Sequence, residues 1–573
     1  MRTYTRGVKW LDPARSPFVG ALILGALFAI VFGLAYPPFD LWGLALIAPV
    51  PMILIAQRTR GPWRSALVVG LASAPMWWWH HDWIGDITGA GMPALVVYLS
   101  VWSALFVLVG SRIARRVPDL PVWVWAPIAW TTIELLRGEM VMHGYSWFMV
   151  GEPLIVQPMV ATLGVYTVGF LVVLLAAWVC EVIQRGLERA AMGFMVAVAL
   201  VIVLCGSATF LQANSIQSDI PPLRIGVVQT NIPQSNKIGW SLEDRVAALE
   251  RFLAMTREVA AMDPPPDIIV WPETMFPGDT LSPDVVETQR AAGMGYVTLG
   301  LPATFFHDQL VETQRELGIP MIVGAIAIDG YHLDVKPSGG IQTEIDAIYN
   351  SAFVIADGAV QSDRYDKTFL TPFGEVMPYI SAWPWLEKQL LELGATGLTF
   401  DLKAGTDQVP LVVPLRDGRS VRVAPQICFE ATMPSPVRRL VFAGGKRRAD
   451  VIVQITNDGW FGDFTPGKEH HMLLVRWRAA ELDTPVVRIA NTGISGSIDA
   501  DGRDITGVPV DDRNLGEWMR VFPVALPDPH SVTLFALGGW TIPWAMLPAC
   551  AVLVFLPRGK NRTAKPASAS DGS

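Results

Sequence analysis

Val421-Arg-Val-Ala-Pro-Gln-Ile-Cys-Phe-Glu430 decides how the middle of this chain is read. An apolar run rich in β-branched residues stops at a thiol and an acid, the pattern of a buried strand that delivers Cys428 to the rim of a sheet. The other three cysteines, Cys180, Cys205 and Cys550, all fall in long apolar segments. Cys428 therefore has no disulfide partner and stays a free thiol, either a nucleophile or a small core residue.

Working outward, Arg224-Ile-Gly-Val-Val-Gln-Thr-Asn231, Asp267-Ile-Ile-Val-Trp-Pro-Glu-Thr274 and Pro320-Met-Ile-Val-Gly-Ala-Ile-Ala-Ile328 read as further strands. Residues 349–360 read as a hairpin turning at Asp357-Gly358. Residues 422–427 and 450–456 read as buried strands, 468–482 as a helix, and 485–498 as a strand pair or one bent strand. Ser241 is placed to cap a helix with Glu243 and Asp244 in its first turn and Leu242, Val246, Leu249 and Leu253 along one face. Strands alternating with helices between residues 222 and 528 predict a layered α/β domain.

Three chemically useful side chains lie at the ends of these strands. Glu273 ends the second strand in Val-Trp-Pro-Glu-Thr, and Lys367 follows the hairpin in Asp363-Arg-Tyr-Asp-Lys-Thr-Phe-Leu-Thr-Pro-Phe-Gly-Glu375. Cys428 is the third. Strand ends in an α/β sheet converge on one rim, so residues far apart in sequence meet there. Carbonyl chemistry needs this set: a thiolate to attack, a carboxylate to take and return its proton, and a cation beside the developing oxyanion. Taken singly, each also fits an ordinary structural role.

The flanks of this domain have a different character. The chain has 573 residues, 51% of them hydrophobic, 22 tryptophans and a mean hydropathy of +0.37, too apolar for a soluble protein and too long for one domain. Apolar segments able to cross a bilayer as helices run over 17–36, 41–56, 65–79, 92–110, 120–136, 160–180 and 191–211, with an eighth over 532–557. The domain reading is thus a membrane domain of seven helices over 1–212, a catalytic domain over 222–528, a last transmembrane helix over 531–557 and a disordered tail over 558–573. Arg2, Arg6, Lys9 and Arg15 precede the first span, Arg58, Arg60 and Arg64 follow the second, and Arg112, Arg115 and Arg116 follow the fourth. Arg185 and Arg189 follow the sixth, and Arg558, Lys560 and Arg562 the eighth. The opposite loops hold almost none, Arg137 excepted, so the N-terminus is expected in the cytoplasm and the polar domain on the far side. The polar middle carries 27 basic and 41 acidic side chains, which argues against a nucleic-acid partner.

His470-His471 invites a metal reading, but adjacent helical residues point about 100° apart and hold one ion poorly, so a surface or capping role on the helix is expected. No metal or cofactor is expected, and no phosphate loop or dinucleotide fingerprint occurs in the chain.

Trp-Pro-Glu-Thr, Tyr-Asp-Lys followed by Pro-Phe-Gly-Glu, and Ile-Cys-Phe-Glu together resemble the three motifs of the nitrilase superfamily. That resemblance implies an αββα sandwich with a Glu273, Lys367 and Cys428 triad. Such a domain framed by seven spans and one more is similar to the apolipoprotein N-acyltransferases of bacteria, over about residues 10–557. Gln229-Thr-Asn-Ile-Pro-Gln-Ser235 with Trp240, Tyr349-Asn-Ser351, Asn457-Asp-Gly-Trp-Phe-Gly462 and Gly144-Tyr-Ser-Trp147 match as well. Phe429 and Ser146 depart from the family, standing where many relatives have Tyr and some have Pro.

The resemblance implies a two-step acyl transfer at the outer leaflet of the inner membrane. Cys428 would take an acyl chain from a phospholipid as a thioester and pass it to the α-amine of an apolipoprotein's N-terminal S-diacylglyceryl cysteine. Glu273 would be base and acid, and Lys367 the oxyanion cation with a backbone N–H near Cys428. Glu375 and Glu430 would hold Lys367 charged and oriented or be ordinary salt-bridge partners, Trp240 and Trp147 would wall the acyl chains or serve core or interfacial packing, and Asn457 and Asn491 would order loops at the rim. A membrane-anchored amidase hydrolysing a small C–N substrate would use the same triad. A non-enzymatic sensor or assembly factor could retain the fold, but would not need all three residues intact.

Overall fold

A computed structural model describes residues 17–557 apart from 88, 90, 158–160, 187–190, 194, 196–197, 201, 204–205, 208–220, 233–239, 336–340, 373, 377–384, 386–401 and 511–515. The seventh expected span lies partly outside the described residues, and the tail wholly so.

Before residue 186 the chain is helical: α1 (Pro17–Gly33), α2 (Pro49–Arg58), α3 (Pro62–His80), α4 (Gly91–Arg116), α5 (Val122–Leu135) and α6 (Val165–Arg185). Residues 41–56 do not form one helix. A 3-10 turn, Trp42–Leu46, precedes α2, which opens on Pro49, a residue without the N–H that a continuous helix would need there. Among the described residues Gly91–Arg116, Val165–Gln184 and Phe535–Phe555 are long and apolar enough to cross a membrane, while Pro17–Gly33 and Trp42–Arg58 are shorter.

Two sheets follow. The first has the order β11-β1-β2-β3-β4-β5, from β1 (Leu223–Gln229), β2 (Ile268–Val270), β3 (Met321–Asp329), β4 (Ala347–Ala356), β5 (Ala359–Asp366) and β11 (Trp518–Val524). The second runs β6-β7-β8-β9-β10, from β6 (Leu411–Pro414), β7 (Ser420–Ile427), β8 (Val451–Thr456), β9 (Val486–Ala490) and β10 (Gly496–Ile498). In both, the central strands β1-β2-β3 and β7-β8-β9 are parallel and the edges antiparallel.

The alternation of apolar residues assigns the faces. Leu223, Ile225, Val227, Ile268, Val270 and Ile322 pack inward with Val421, Val423, Val451 and Val453 of the second sheet. Val228, Ile269, Met321 and Val323 face outward onto α7 (Leu242–Ala260) and α8 (Phe305–Leu317). On the opposite side α9 (Pro434–Val441) and α10 (Thr465–Leu482) cover the second sheet, completing an αββα sandwich. The Ser241 hydroxyl accepts from the Asp244 N–H at 3.0 Å to start α7, and the β4–β5 hairpin turns at Asp357-Gly358 with both residues at positive φ.

The membrane-side helices and the sandwich share one apolar core. Phe429, Met433, Phe461, Leu473 and Trp477 of the sandwich pack in the same cluster as Trp147, Phe148 and Met149. Polar bonds cross the seam too. The Ser146 hydroxyl donates to the Thr432 carbonyl at 3.1 Å, and Glu481 of α10 accepts from Val165 N–H, the first residue of α6, at 2.8 Å. The last helix, α11 (Thr541–Phe555), packs on α5.

Candidate active site

Local sequence places each of the three candidate side chains. β2 stops at Val270 because Pro272 has no ladder donor, so Glu273 sits on the bend beyond the strand rather than in it. Lys367 is the first residue after β5, its N–H bonded to the Asn350 carbonyl on β4 at 2.8 Å. Cys428 follows β7 and opens a 3-10 turn, Cys428–Thr432, with φ at +52°, a left-handed backbone that a residue with a side chain rarely adopts.

The ends of β2, β5 and β7 carry all three to the same rim. Lys367 Nζ lies 2.7 Å from Glu375 Oε2 and 3.5 Å from Glu273 Oε1. Asn350 Nδ2 donates to Glu273 Oε1 at 2.8 Å and to Glu375 Oε1 at 3.2 Å, while Asn457 N–H donates to Glu273 Oε2 at 2.9 Å. Lys367 is 1% exposed and Glu273 5%, so these contacts replace water rather than compete with it.

Electrostatics follow from that enclosure. Burial works to lower the Lys367 ammonium, but Glu375 and Glu273 overturn it and hold the group above its ordinary range, protonated. Burial would raise Glu375, yet Lys367 and the Thr371 N–H draw it below the usual carboxylate range. Burial and then the Glu273 charge push the Cys428 thiol well up, with Lys367 and the Thr456 hydroxyl opposing. At rest Cys428 is a thiol, not a thiolate, and needs an adjacent base to become a nucleophile.

Residues 28–178 match the family model described as the apolipoprotein N-acyltransferase N-terminal domain, and residues 224–515 match that described as carbon-nitrogen hydrolase. An apolipoprotein N-acyltransferase of Brucella melitensis is 30% identical over 514 residues, covering 85% of this chain and 86% of the relative. The chain belongs to the apolipoprotein N-acyltransferase family. Relatives of the same name from Haemophilus ducreyi and Rhodopseudomonas palustris are 25% and 27% identical and cover 95% and 94% of the chain, and 98% and 94% of their own lengths.

The remaining expected site residues of this family member fall into distinct places. Glu375 touches Lys367 directly. Glu430 forms no ion pair among the described residues: its Oε1 accepts from Tyr365 Oη, Thr368 N and Oγ1, and Phe369 N, and its Oε2 from Ile427 N. It ties the loop after Lys367 to the turn of Cys428. Asn457 caps its own 3-10 turn through Gly459 N–H and meets Asn491 Nδ2 at 3.2 Å. Asn491 in turn accepts from Ile232 N–H at 3.0 Å, pinning the loop after β1.

Trp147 is 5% exposed, its ring 4.9 Å from His470, 5.8 Å from His471 and 5.9 Å from Phe461. It fills the seam between the domains. Trp240 is half-buried on the outer, helix-covered face of the first sheet. Phe429 stacks on Phe369 at 6.2 Å, an apolar contact that needs no hydroxyl.

The expectation of a surface role for His470-His471 is overturned. Both are 2% exposed, because α10 is covered by the sandwich on one side and by the membrane-side helices on the other. Their divergent directions send His470 Nε2 to Glu152 Oε2 at 2.8 Å and His471 to Asp458 and to the Cys428 carbonyl. Sequence reasoning also gave no role to Asn350, although Tyr349-Asn-Ser351 matches the family. Besides that match, its signal was an amide in a strand of mostly apolar residues.

Proposed function

We propose that the chain transfers an acyl chain from a membrane phospholipid, by way of a thioester on Cys428, to the α-amine of the N-terminal S-diacylglyceryl cysteine of apolipoproteins. The observation that carries this reading is where the nucleophile's turn lies. Phe429 and Met433, one and five residues past Cys428, pack into the same apolar core as the membrane-side helices. A hydrolase of small amides has no use for such a seam. A long acyl chain does, since each CH₂ taken into water costs about 0.8 kcal/mol. The relatives named apolipoprotein N-acyltransferase support the same substrate class.

In this reading Glu273 takes the Cys428 proton as sulfur attacks the phospholipid ester. Lys367 and a backbone N–H next to Cys428 hold the tetrahedral oxyanion, which collapses to the thioester. The lysophospholipid leaves with the proton from Glu273. The acceptor amine then attacks, its proton passing through Glu273 to the departing thiol. The triad works in two ping-pong halves with one base. Seven spans before the sandwich and one after it, with the sandwich on the periplasmic side of the inner membrane, would set Cys428 at the outer leaflet, where both lipid substrates lie.

The test is the lifetime of the adduct. Full-length protein mixed with phospholipid should carry one acyl group on Cys428 by intact mass. A peptide with a free N-terminal S-diacylglyceryl cysteine should discharge it, and the same peptide with a blocked amine should not. An adduct lost equally fast with and without the amine would make water the acceptor and the protein a hydrolase.

A further inference from the structure

We infer that His471 and Gln454 are positioning residues that aim the Phe429 N–H at the reacting carbonyl by holding the carbonyl of Cys428. The inference rests on the acyl-transfer reading of Cys428.

The Cys428 carbonyl accepts from His471 Nε2 at 3.3 Å and from Gln454 Nε2 at 3.4 Å. Both side chains are buried, at 2% and 0% exposure. A single bond satisfies a buried carbonyl, so two converging side-chain donors do more than burial demands. The peptide between Cys428 and Phe429 is planar and trans, and its N–H points opposite to its C=O. Fixing the carbonyl toward β8 and α10 therefore fixes the Phe429 N–H away from them. As the second residue of the 3-10 turn, Phe429 has no intrahelical acceptor for that N–H. Among the described residues it meets no acceptor, which leaves it placed to meet an oxyanion formed on the acyl group of Cys428.

What stands behind the two donors makes them rigid. Arg488, fully buried, donates through Nη1 to Gln454 Oε1 and through Nη2 to Asp458 Oδ2, and its Nε is bonded to the Ile494 carbonyl at 2.9 Å. Asp458 Oδ1 stands 3.1 Å from His471 Nδ1, with Arg488 Nη2 at 3.3 Å from the same nitrogen. Because the partner of Nε2 is a carbonyl, which only accepts, Nε2 carries a proton whichever group Nδ1 engages. One guanidinium thus sets the angle of both supports. They act on the same peptide that is held in a left-handed, strained turn.

The experiment compares two reactions of one thiol in the full-length protein. Acylation from phosphatidylethanolamine and phosphatidylglycerol vesicles, read by intact mass, passes through an oxyanion, whereas alkylation by iodoacetamide does not. His471→Ala should slow acylation about 10- to 100-fold, part of the 10²–10³ that losing one oxyanion donor costs. Alkylation should stay within about twofold, and His471→Gln, which keeps an N–H at similar reach, should recover most of the acylation. Acylation at the wild-type rate in His471→Ala, or a parallel loss of both reactions, would overturn the inference, the second by making His471 a support of the thiol or of the fold. Should His471→Ala fail to accumulate, Gln454→Ala must show the same split between the two rates, and its absence there overturns the inference equally. A wild-type protein that alkylates but never acylates would instead sink the acyl-transfer reading itself.

Discussion

Glu375 and Glu430 each follow a proposed catalytic side chain in sequence, and the protein uses them in opposite ways. Glu375 faces the Lys367 ammonium at 2.7 Å, so on that side the site is set by charge. Glu430 is spent on five donors from three backbone N–H groups and two hydroxyls, so on the Cys428 side the site is set by hydrogen-bond geometry. A base and an oxyanion cation must be tuned electrostatically, whereas a nucleophile and a backbone donor must be aimed. The same residue type serves both ends because its neighbours differ.

The largest effects test that contrast directly. Cys428→Ala should reduce acyl-adduct formation to background while the melting temperature hardly moves, since one small side chain replaces another in a half-buried position. Lys367→Met should be as inactive and also unstable by roughly 3–5 kcal/mol, because it leaves Glu273 and Glu375 facing each other in a dry pocket. Denaturant melts of the two variants decide the matter: equal stability would mean that the Lys367 side is not held by charge. Glu273→Gln keeps the shape and removes the base, and adduct formation should slow by about 10²–10⁴.

Smaller effects sharpen the comparison between the two acids. Glu430→Gln puts a donor where only acceptors fit and should cost about 1–3 kcal/mol of stability, with any activity loss tracking the unfolded fraction. Glu375→Gln should instead lower the rate at saturating phospholipid in protein that remains folded. If the two variants exchanged these phenotypes, the assignment of one acid to charge and the other to geometry would be wrong. The smallest effect concerns pH. An ordinary thiol ionises near pH 8.5, but burial and Glu273 raise that of Cys428, so its thiolate stays scarce until more alkaline pH. Alkylation by iodoacetamide should therefore lack the usual rise between about pH 8 and 9, and a normal thiol titration there would show that the thiol is less enclosed than the fold implies.

Much of the sandwich was legible from strand periodicity and turn chemistry. Val421 to Ile427, the Asp357-Gly358 turn and the Ser241 cap behave as their local sequence requires, because each is decided within a few residues. The second apolar segment was not, since length and hydropathy do not register that Pro49 interrupts the backbone ladder. The grouping of Glu273 and Lys367 could be anticipated from strand ends and known motifs. The supports of Cys428 could not. Helix α10 carries Lys468, His470, His471, Arg478 and Glu481 all buried, and reasoning that treats polar residues as surface fails where one helix is covered by two domains. Arg488 and Gln454 lie in central strands, where a polar residue reads as an interruption until its partner on the neighbouring strand, 34 residues away, is seen.

The bond from Val165 N–H to Glu481 Oε1 joins residues 316 positions apart, and it puts a clock into how this protein is made. Helix α6 is synthesised early, with the donor at its first residue open, and the carboxylate that closes it emerges only after most of the sandwich has been built. At ordinary rates of synthesis, about 5–20 residues per second, that interval is roughly 15–60 s. Throughout it the head of an apolar helix must find water, lipid headgroups or a chaperone for its N–H, since an unpaired donor in hydrocarbon costs several kcal/mol. The first N–H of α6 thus finds the acceptor it has in the folded protein only after the chain has reached residue 481.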